Sequence, residues 1–242
     1  MKVFAHRGAS SDYPENTILA FKHGINVGAN GLELDVHKTK DGVVVVIHDE
    51  DIQRTFKGKG LVKDYELEEL KKIKCRKAVF RENEECIIPT LEEVLLLIKD
   101  REDFTINIEL KTDVIHYENI EQDVITLLNK YDMCDRAIIS SFNHESIRIC
   151  KAIKPEIKIG ALYHYTIENV IKYALCLGVD AIHPNIELVT QQLIDECHKN
   201  NIKVNTYTAN SPDVMRKLID SNVDGIFTDY PELLLEVINE KK

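Results

Sequence analysis

The chain has 242 residues, 44% hydrophobic and 30% charged, which excludes a disordered polymer and suits one large α/β barrel domain better than two ordinary ones. A formal net charge of -10 argues against a nucleic-acid partner, since phosphate backbones are held by clustered Lys and Arg. It leaves room for a local basic site that takes a small phosphate ligand.

The first expected strand, Lys2–Ala5, runs into His6-Arg7-Gly8. His titrates near neutral pH, Arg offers a two-pronged fork for a phosphate, and Gly lets backbone approach a ligand. Residues 14–17 read PENT, a helix opening in which Pro14 starts the turn and Glu15 and Asn16 face either the loop or the helix dipole. Apolar residues Ile18, Phe21 and Ile25 then recur at helical spacing.

The second strand, Gly31–Val36, begins the stretch GLELDVHKTKDGVVVVIHDE. Glu33 and Asp35 are two apart and share one face, while Leu32, Leu34 and Val36 take the other. If Asp41-Gly42 is a two-residue hairpin turn, Lys40 pairs with Val43 and Asp35 stands opposite His48. A solvated strand face and a turn histidine are the plain alternatives. The apolar face is already supplied, however, and paired carboxylates in a barrel mouth are unfavourable unless something positive joins them.

From His37 to Pro89 the βα rhythm lapses into a hairpin and then a Lys/Glu-rich stretch over 57–86, with short helices expected around Tyr65–Ile73. This reads as a small insertion after the second strand, at about 50–88, lying over one face of a single barrel domain spanning residues 1–242. The rhythm resumes with IPTLEEVL and a strand over Phe104–Leu110. There Asn107, Glu109 and Lys111 share a face. Three carboxylates (Glu33, Asp35, Glu109) without a Cys or an obligatory His make an oxygen-only site, suited to one divalent cation, Mg²⁺ or Ca²⁺ rather than Zn²⁺. Lys111 would give a positive charge to a phosphate oxygen.

Five more strands follow: Ala137–Phe142, Lys158–Leu162, Ala181–His183, Lys203–Thr208 and Gly225–Thr228. The helices between them start at Asn143, at Thr190, and at Ser211 with Pro212 behind it. Eight βα units imply a closed (β/α)8 barrel of the TIM type, with its site at the C-terminal strand ends. An open doubly wound sheet is the rival, but no GxGxxG follows any strand. The six cysteines, Cys75, Cys86, Cys134, Cys150, Cys176 and Cys197, form no CxxC pair. They are expected as free thiols of a cytoplasmic protein. Met1-Lys2 runs into VFAHRG with no apolar leader, and no window reaches the ~18 to 20 apolar residues of a membrane span.

HRG, PENT, ELDV, the Asp-Gly turn, VVIHD, IPTLEEVL and IELK, in this order and with VDGIFTDYPE near the end, resemble the glycerophosphodiester phosphodiesterase family over nearly the whole chain. The resemblance implies a (β/α) barrel with an insertion after the second strand. It implies a metal-dependent hydrolase that cuts small glycerophosphodiesters into glycerol 3-phosphate and an alcohol. By position, His6 and His48 resemble the catalytic pair, Glu33, Asp35 and Glu109 the metal ligands, and Arg7 and Lys111 the phosphate-holding groups. Glu15 and Asn16 match the polar pair beside the first histidine. One departure is the absence of Trp: where the family often carries one, this chain reads VNTYTAN, with Tyr207 in its place. Two rival readings are weaker. A lysophospholipid or inositol-lipid enzyme lacks an evident membrane-docking loop, and a non-catalytic barrel has no reason to keep both histidines and all three carboxylates.

Overall fold

The computed structural model describes residues 1–241. Eight parallel strands form the barrel: β1 (Lys2–His6), β2 (Gly31–Lys38), β4 (Thr105–Leu110), β5 (Ala137–Ser141), β6 (Lys158–Tyr163), β7 (Ala181–Pro184), β8 (Lys203–Thr206) and β9 (Gly225–Thr228). Each pairs with its neighbour, and β1 closes the ring by pairing with both β9 and β2. The short strand β3 (Val44–Val46) lies antiparallel on β2. Helices α1 (Ile18–Asn26), α3 (Leu91–Ile98), α4 (Ile120–Lys130), α5 (His144–Ile153), α6 (Val170–Leu177), α7 (Gln191–Lys199), α8 (Pro212–Asp220) and α9 (Pro231–Asn239) follow the eight barrel strands, while α2 (Leu67–Leu70) belongs to the segment between β3 and α3. The expected caps form: Asn143, Thr190 and Ser211 each accept a backbone N–H of the first turn.

The two-residue period of the strands explains why the site is polar. Leu32, Leu34, Val36, Ile106, Ile108 and Leu110 point outwards and join Phe21, Ile25, Leu95 and Val124 from the helices in the main core. Each such fully buried side chain contributes on the order of 1.5–3 kcal/mol. The alternate residues must then fill the barrel interior. Its lower part holds Phe4, Ile138 and Phe227 as a small apolar cluster. Two glycines make that filling possible, since a Cβ at Gly31 would come within 2.6 Å of the Phe4 ring and one at Gly160 within 2.4 Å of His183. The upper part receives Glu33, Asp35, Asn107 and Glu109 in two layers, Glu33 level with Asn107 and Asp35 with Glu109.

The hairpin differs from the expected register by one residue. Thr39 N–H bonds Val43 O at 2.9 Å, Gly42 takes φ 86°, and Val36 pairs with Val46. The loop is therefore three residues, Lys40 to Gly42, with glycine in the left-handed position that such a loop requires. Asp41 is drawn out of a two-residue turn by other partners, accepting from Thr39 Oγ1 at 2.6 Å and from Leu67 N–H at 3.1 Å. Asp35 consequently faces Ile47, whose N–H bonds Asp35 O at 3.0 Å, and not His48. A one-residue slip would normally send His48 to the opposite face. The chain leaves the ladder after Ile47, and that bend returns the imidazole to the barrel mouth.

The segment between β3 and α3 is less polar in its packing than its Lys/Glu content suggests. Val45, Ile47, Ile52, Phe56, Val62, Leu70, Cys75, Cys86 and Ile88 form a second buried cluster of their own. Their spacing follows neither helical nor strand periodicity, because the segment is built of turns, isolated bridges and short helices.

Candidate active site

The C-terminal mouth of the barrel opens into a cavity of about 230 Å³ with two unlike walls. His6, Arg7, Glu33, His48, Asn107 and Glu109 line one side, and Phe142, Leu162, Tyr207, Thr208 and Phe227 the other. Tyr207, which stands where the family often carries a Trp, thus borders the cavity, its hydroxyl donating to Tyr163 O at 3.0 Å.

Each histidine is held by a carboxylate at one ring nitrogen. His6 Nδ1 stands 2.7 Å from Asp229 Oδ1, and Asp229 also accepts from Ser10 Oγ at 2.9 Å and from Asn210 Nδ2 at 2.6 Å. Burial opposes ionisation of Asp229, but these donors outweigh it and bring its pKa down to about 2. An ionised carboxylate only accepts, so His6 Nδ1 carries the proton and Nε2 is left facing Glu33 Oε2, 3.9 Å away. His48 repeats the arrangement, with Nδ1 2.6 Å from Asp49 Oδ1 and Nε2 3.4 Å from Lys111 Nζ. Burial, together with the nearby charges of Arg7 and Lys111, keeps the His48 pKa below the ordinary histidine value despite the pull of Asp35 and Asp49. His37 fixes the main chain here. Its Nε2 donates to His48 O at 3.0 Å, so its Nδ1 accepts from Tyr117 Oη at 2.8 Å.

The cations stand against the buried carboxylates. Arg7 has φ 57°, a left-handed backbone that a bulky residue adopts at a cost of roughly 1–3 kcal/mol. It is held there by hydrogen bonds from its N–H to Glu33 O at 3.0 Å and from Asn16 N–H to its own carbonyl at 2.9 Å. Its guanidinium donates to Glu15 Oε1 at 3.0 Å and lies 3.3 Å from Asp35 Oδ2. Lys111 Nζ donates to Glu109 Oε1 at 2.9 Å. Glu15 and Asn16 are taken up by protein partners: Glu15 bonds Arg7 and Arg54, and Asn16 Nδ2 donates to Asp35 Oδ2 at 2.8 Å.

Glu33, Asp35 and Glu109 each bring an oxygen within 4.8 Å of the others, and all three are buried. Burial first, then the charges of Asp35 and Glu109, push the Glu33 carboxyl well above the usual range. Burial and Asp35 raise Glu109 to about 7. Asp35 is the exception: burial opposes its ionisation, but Arg7, His48 and Lys111 hold it below the usual range. Its Oδ1 is buried and, among the described residues, has no hydrogen-bond partner. An oxygen-only donor set, a surplus of like charge and an orphaned anionic oxygen fit a hard divalent cation.

Asp229, Asp49 and His37 were not read as site residues from the sequence. Asp49 follows His48 directly and Asp229 sits in the quoted TDYPE, so the signal for both was a carboxylate next to a motif already noticed. His37 had no such signal, because its role depends on the bend at His48.

Two imidazoles held by carboxylates beside fixed cations suit a barrel hydrolase acting on an anionic ester. A sequence model of the glycerophosphoryl diester phosphodiesterase family matches residues 6–233. The chain belongs to this family and is a phosphoric diester hydrolase. It is 42% identical over 238 residues to a glycerophosphodiester phosphodiesterase of Caldanaerobacter subterraneus subsp. tengcongensis, covering 98% of each chain. Among solved structures it is similar to the glycerophosphodiester phosphodiesterase of Thermotoga maritima, with 31% identity, a TM-score of 0.80 and 98% of each chain covered. A phosphodiesterase of Oleispira antarctica, solved in complex with the product sn-glycerol-3-phosphate, superposes with a TM-score of 0.87 at 27% identity, covering 99% of this chain and 97% of the other. No helix among the described residues is long and apolar enough to cross a membrane.

Proposed function

We propose that the chain is a metal-dependent glycerophosphodiester phosphodiesterase releasing glycerol 3-phosphate and a free alcohol. The observation that carries this is the pair of histidines, each held at Nδ1 by an ionised carboxylate, with Nε2 of His6 facing Glu33 and Nε2 of His48 facing Lys111. Arg7 and Lys111 hold the non-bridging phosphate oxygens. One histidine takes the proton of the attacking hydroxyl, either water or the glycerol hydroxyl next to the phosphate. The other protonates the leaving alcohol. A divalent cation, Mg²⁺ or Ca²⁺, held by Glu33, Asp35 and Glu109 would supply positive charge to the phosphoryl group when bound. The apolar wall of Phe142, Leu162 and Tyr207 bounds the organic part of the substrate. The chain works as one barrel, with the segment at about 50–88 bordering the mouth and bearing on headgroup choice. The reading includes a small-molecule substrate, no nucleic acid, and a cytoplasmic location, for which scattered and mostly buried cysteines argue. Its test is release of glycerol 3-phosphate from a panel of glycerophosphodiesters with choline, ethanolamine and glycerol headgroups, with and without chelator. Release that is insensitive to chelator would remove the metal; no release from any member would remove the substrate class.

Metal binding should also be visible in stability. Glu109 rises from an ordinary 4.5 to about 7 in the folded chain. Between those values the folded state keeps a proton that the unfolded state has lost, so this group drains stability as pH rises through the window. Saturating Mg²⁺ or Ca²⁺ should therefore raise the melting temperature more at about pH 8 than at about pH 5.5, whereas the lowered pKa values of His37, His48 and His183 act in the opposite sense with or without the ion. Calorimetry in buffers of different ionisation enthalpy should show roughly one to two protons released per ion bound near pH 6.5, because the Glu33 carboxyl is raised as well as that of Glu109. A melting temperature equally pH-dependent with and without the ion would count against the cluster as its site.

A further inference from the structure

One side chain ties the two halves of the mouth together, and it comes from the segment between β3 and α3. Arg54 Nε lies 2.5 Å from Asp49 Oδ2 and its Nη2 3.2 Å from Asp49 Oδ1. The same guanidinium reaches Glu15, with Nη1 2.8 Å from Oε2 and Nη2 2.7 Å from Oε1. Both carboxylates are already in use. Asp49 accepts from His48 Nδ1 at 2.6 Å, and Glu15 accepts from Arg7 Nη1 at 3.0 Å. A planar fork with five donors is the one side chain that can bridge two carboxylates in this way. Arg54 itself touches neither histidine nor the cavity wall, and its side chain is about half exposed, at 47%.

We infer that Arg54 is a positioning residue which sets the His48 ring through Asp49 and the Arg7 guanidinium through Glu15, so that the inserted segment governs both proton transfer and phosphate holding. The two links run to different tasks. Asp49 without Arg54 keeps His48 as its side-chain partner but loses the anchor that fixes its own rotamer, and the His48 ring it holds loses its fixed Nδ1–H tautomer. Glu15 without Arg54 keeps only Arg7 as its cationic partner, and the pair is then free to swing towards solvent. The stability at stake is small, because a half-exposed ion pair is screened by water. The geometric effect is large, since misplacement of a reacting group by about 1 Å lowers rate by up to roughly 10²-fold.

This inference rests on the roles given above to His48 and Arg7, so its test includes a reading that needs no turnover. Nitrogen-15 NMR of the imidazoles, at a pH where they are neutral, should show His48 as the Nδ1–H tautomer in the unaltered protein and as a tautomer mixture in Arg54→Met. In steady-state kinetics, Asp49→Asn should lower kcat and Glu15→Gln should chiefly raise KM. Arg54→Met should do both, with kcat down about 10- to 100-fold. Adding Arg54→Met to Asp49→Asn should lower kcat by no more than about twofold further, because the two act on one linkage. Arg54→Lys, which keeps charge without the fork, should recover only part of the loss, and it carries the same readings should Arg54→Met fold poorly. An unchanged His48 tautomer, or kcat losses that multiply in the double variant, would overturn the clamp. A shifted tautomer in a protein whose unaltered form hydrolyses no glycerophosphodiester would leave the clamp standing and sink the assigned reaction instead.

Discussion

Replacing His6 or His48 with Ala should lower kcat by roughly 10²-fold or more, the range for loss of a general acid or base, while divalent-metal affinity changes little. The structure sets this separation. His6 and His48 are bound at Nδ1 by Asp229 and Asp49, which fixes ring orientation without help from the carboxylate cluster. Removing an imidazole takes away a proton carrier and leaves all three clustered oxygens in place. The double variant should be far less than multiplicatively worse, since in the proposed reaction both residues serve one proton-transfer cycle and such units are non-additive. Steady-state kinetics with metal titration on the two single variants and the double reads all of this. A variant with near-normal kcat that needs much more metal would place that histidine in the coordination sphere.

Asp35→Ala should have the opposite signature, with bound metal and rate falling together. Asp35 is the strand residue from which the cluster's charge balance is built. It lies 3.3 Å from Arg7 Nε, takes the Asn16 amide at 2.8 Å, and keeps Oδ1 unpaired. Without it, Glu33 and Glu109 lose the like charge that raises their pKa values, and Arg7 and Lys111 lose their shared buried counter-charge. Activity at fixed metal should drop roughly 10²- to 10³-fold, in line with several kcal/mol of charge stabilisation at a phosphoryl group. Elemental analysis of purified protein should show substoichiometric metal, and Asp35→Asn should behave alike, because the amide restores volume but not charge. Full metal occupancy in both variants would contradict the assignment of Asp35 as a ligand.

Two-residue alternation in GLELDV and TINIELK already separates an apolar outer face from a polar inner one. Eight strand runs alternating with capped helices leave little besides a barrel, and this places Glu33, Asp35 and Glu109 on one surface from the sequence alone. His6 and Arg7 were legible for the same local reason, as the end of a strand whose C-terminal side faces the site. The strand limits differ by one or two residues: β2 runs on to Lys38 where Val36 was expected, and β8 stops at Thr206 short of Thr208. Such ends depend on whether a neighbouring strand supplies partners. The hairpin register was out of reach for the same reason. Asp41-Gly42 by itself favours a two-residue turn, and the approach of Leu67 N–H, 26 residues further on, joins Thr39 Oγ1 in drawing Asp41 into a wider loop. His48 entered the site despite the slip, through the bend after Ile47 and the hydrogen bond from His37. The clamp of Arg54 on Glu15 and Asp49 joins residues 39 and 5 apart in the chain. Periodicity reports which face a residue takes within one element, and so it determined the barrel, its polar interior and the identity of the carboxylate cluster. Contacts between elements are decided by how turns and insertions close in three dimensions, and those closures chose the partners that orient the histidines and the arginine.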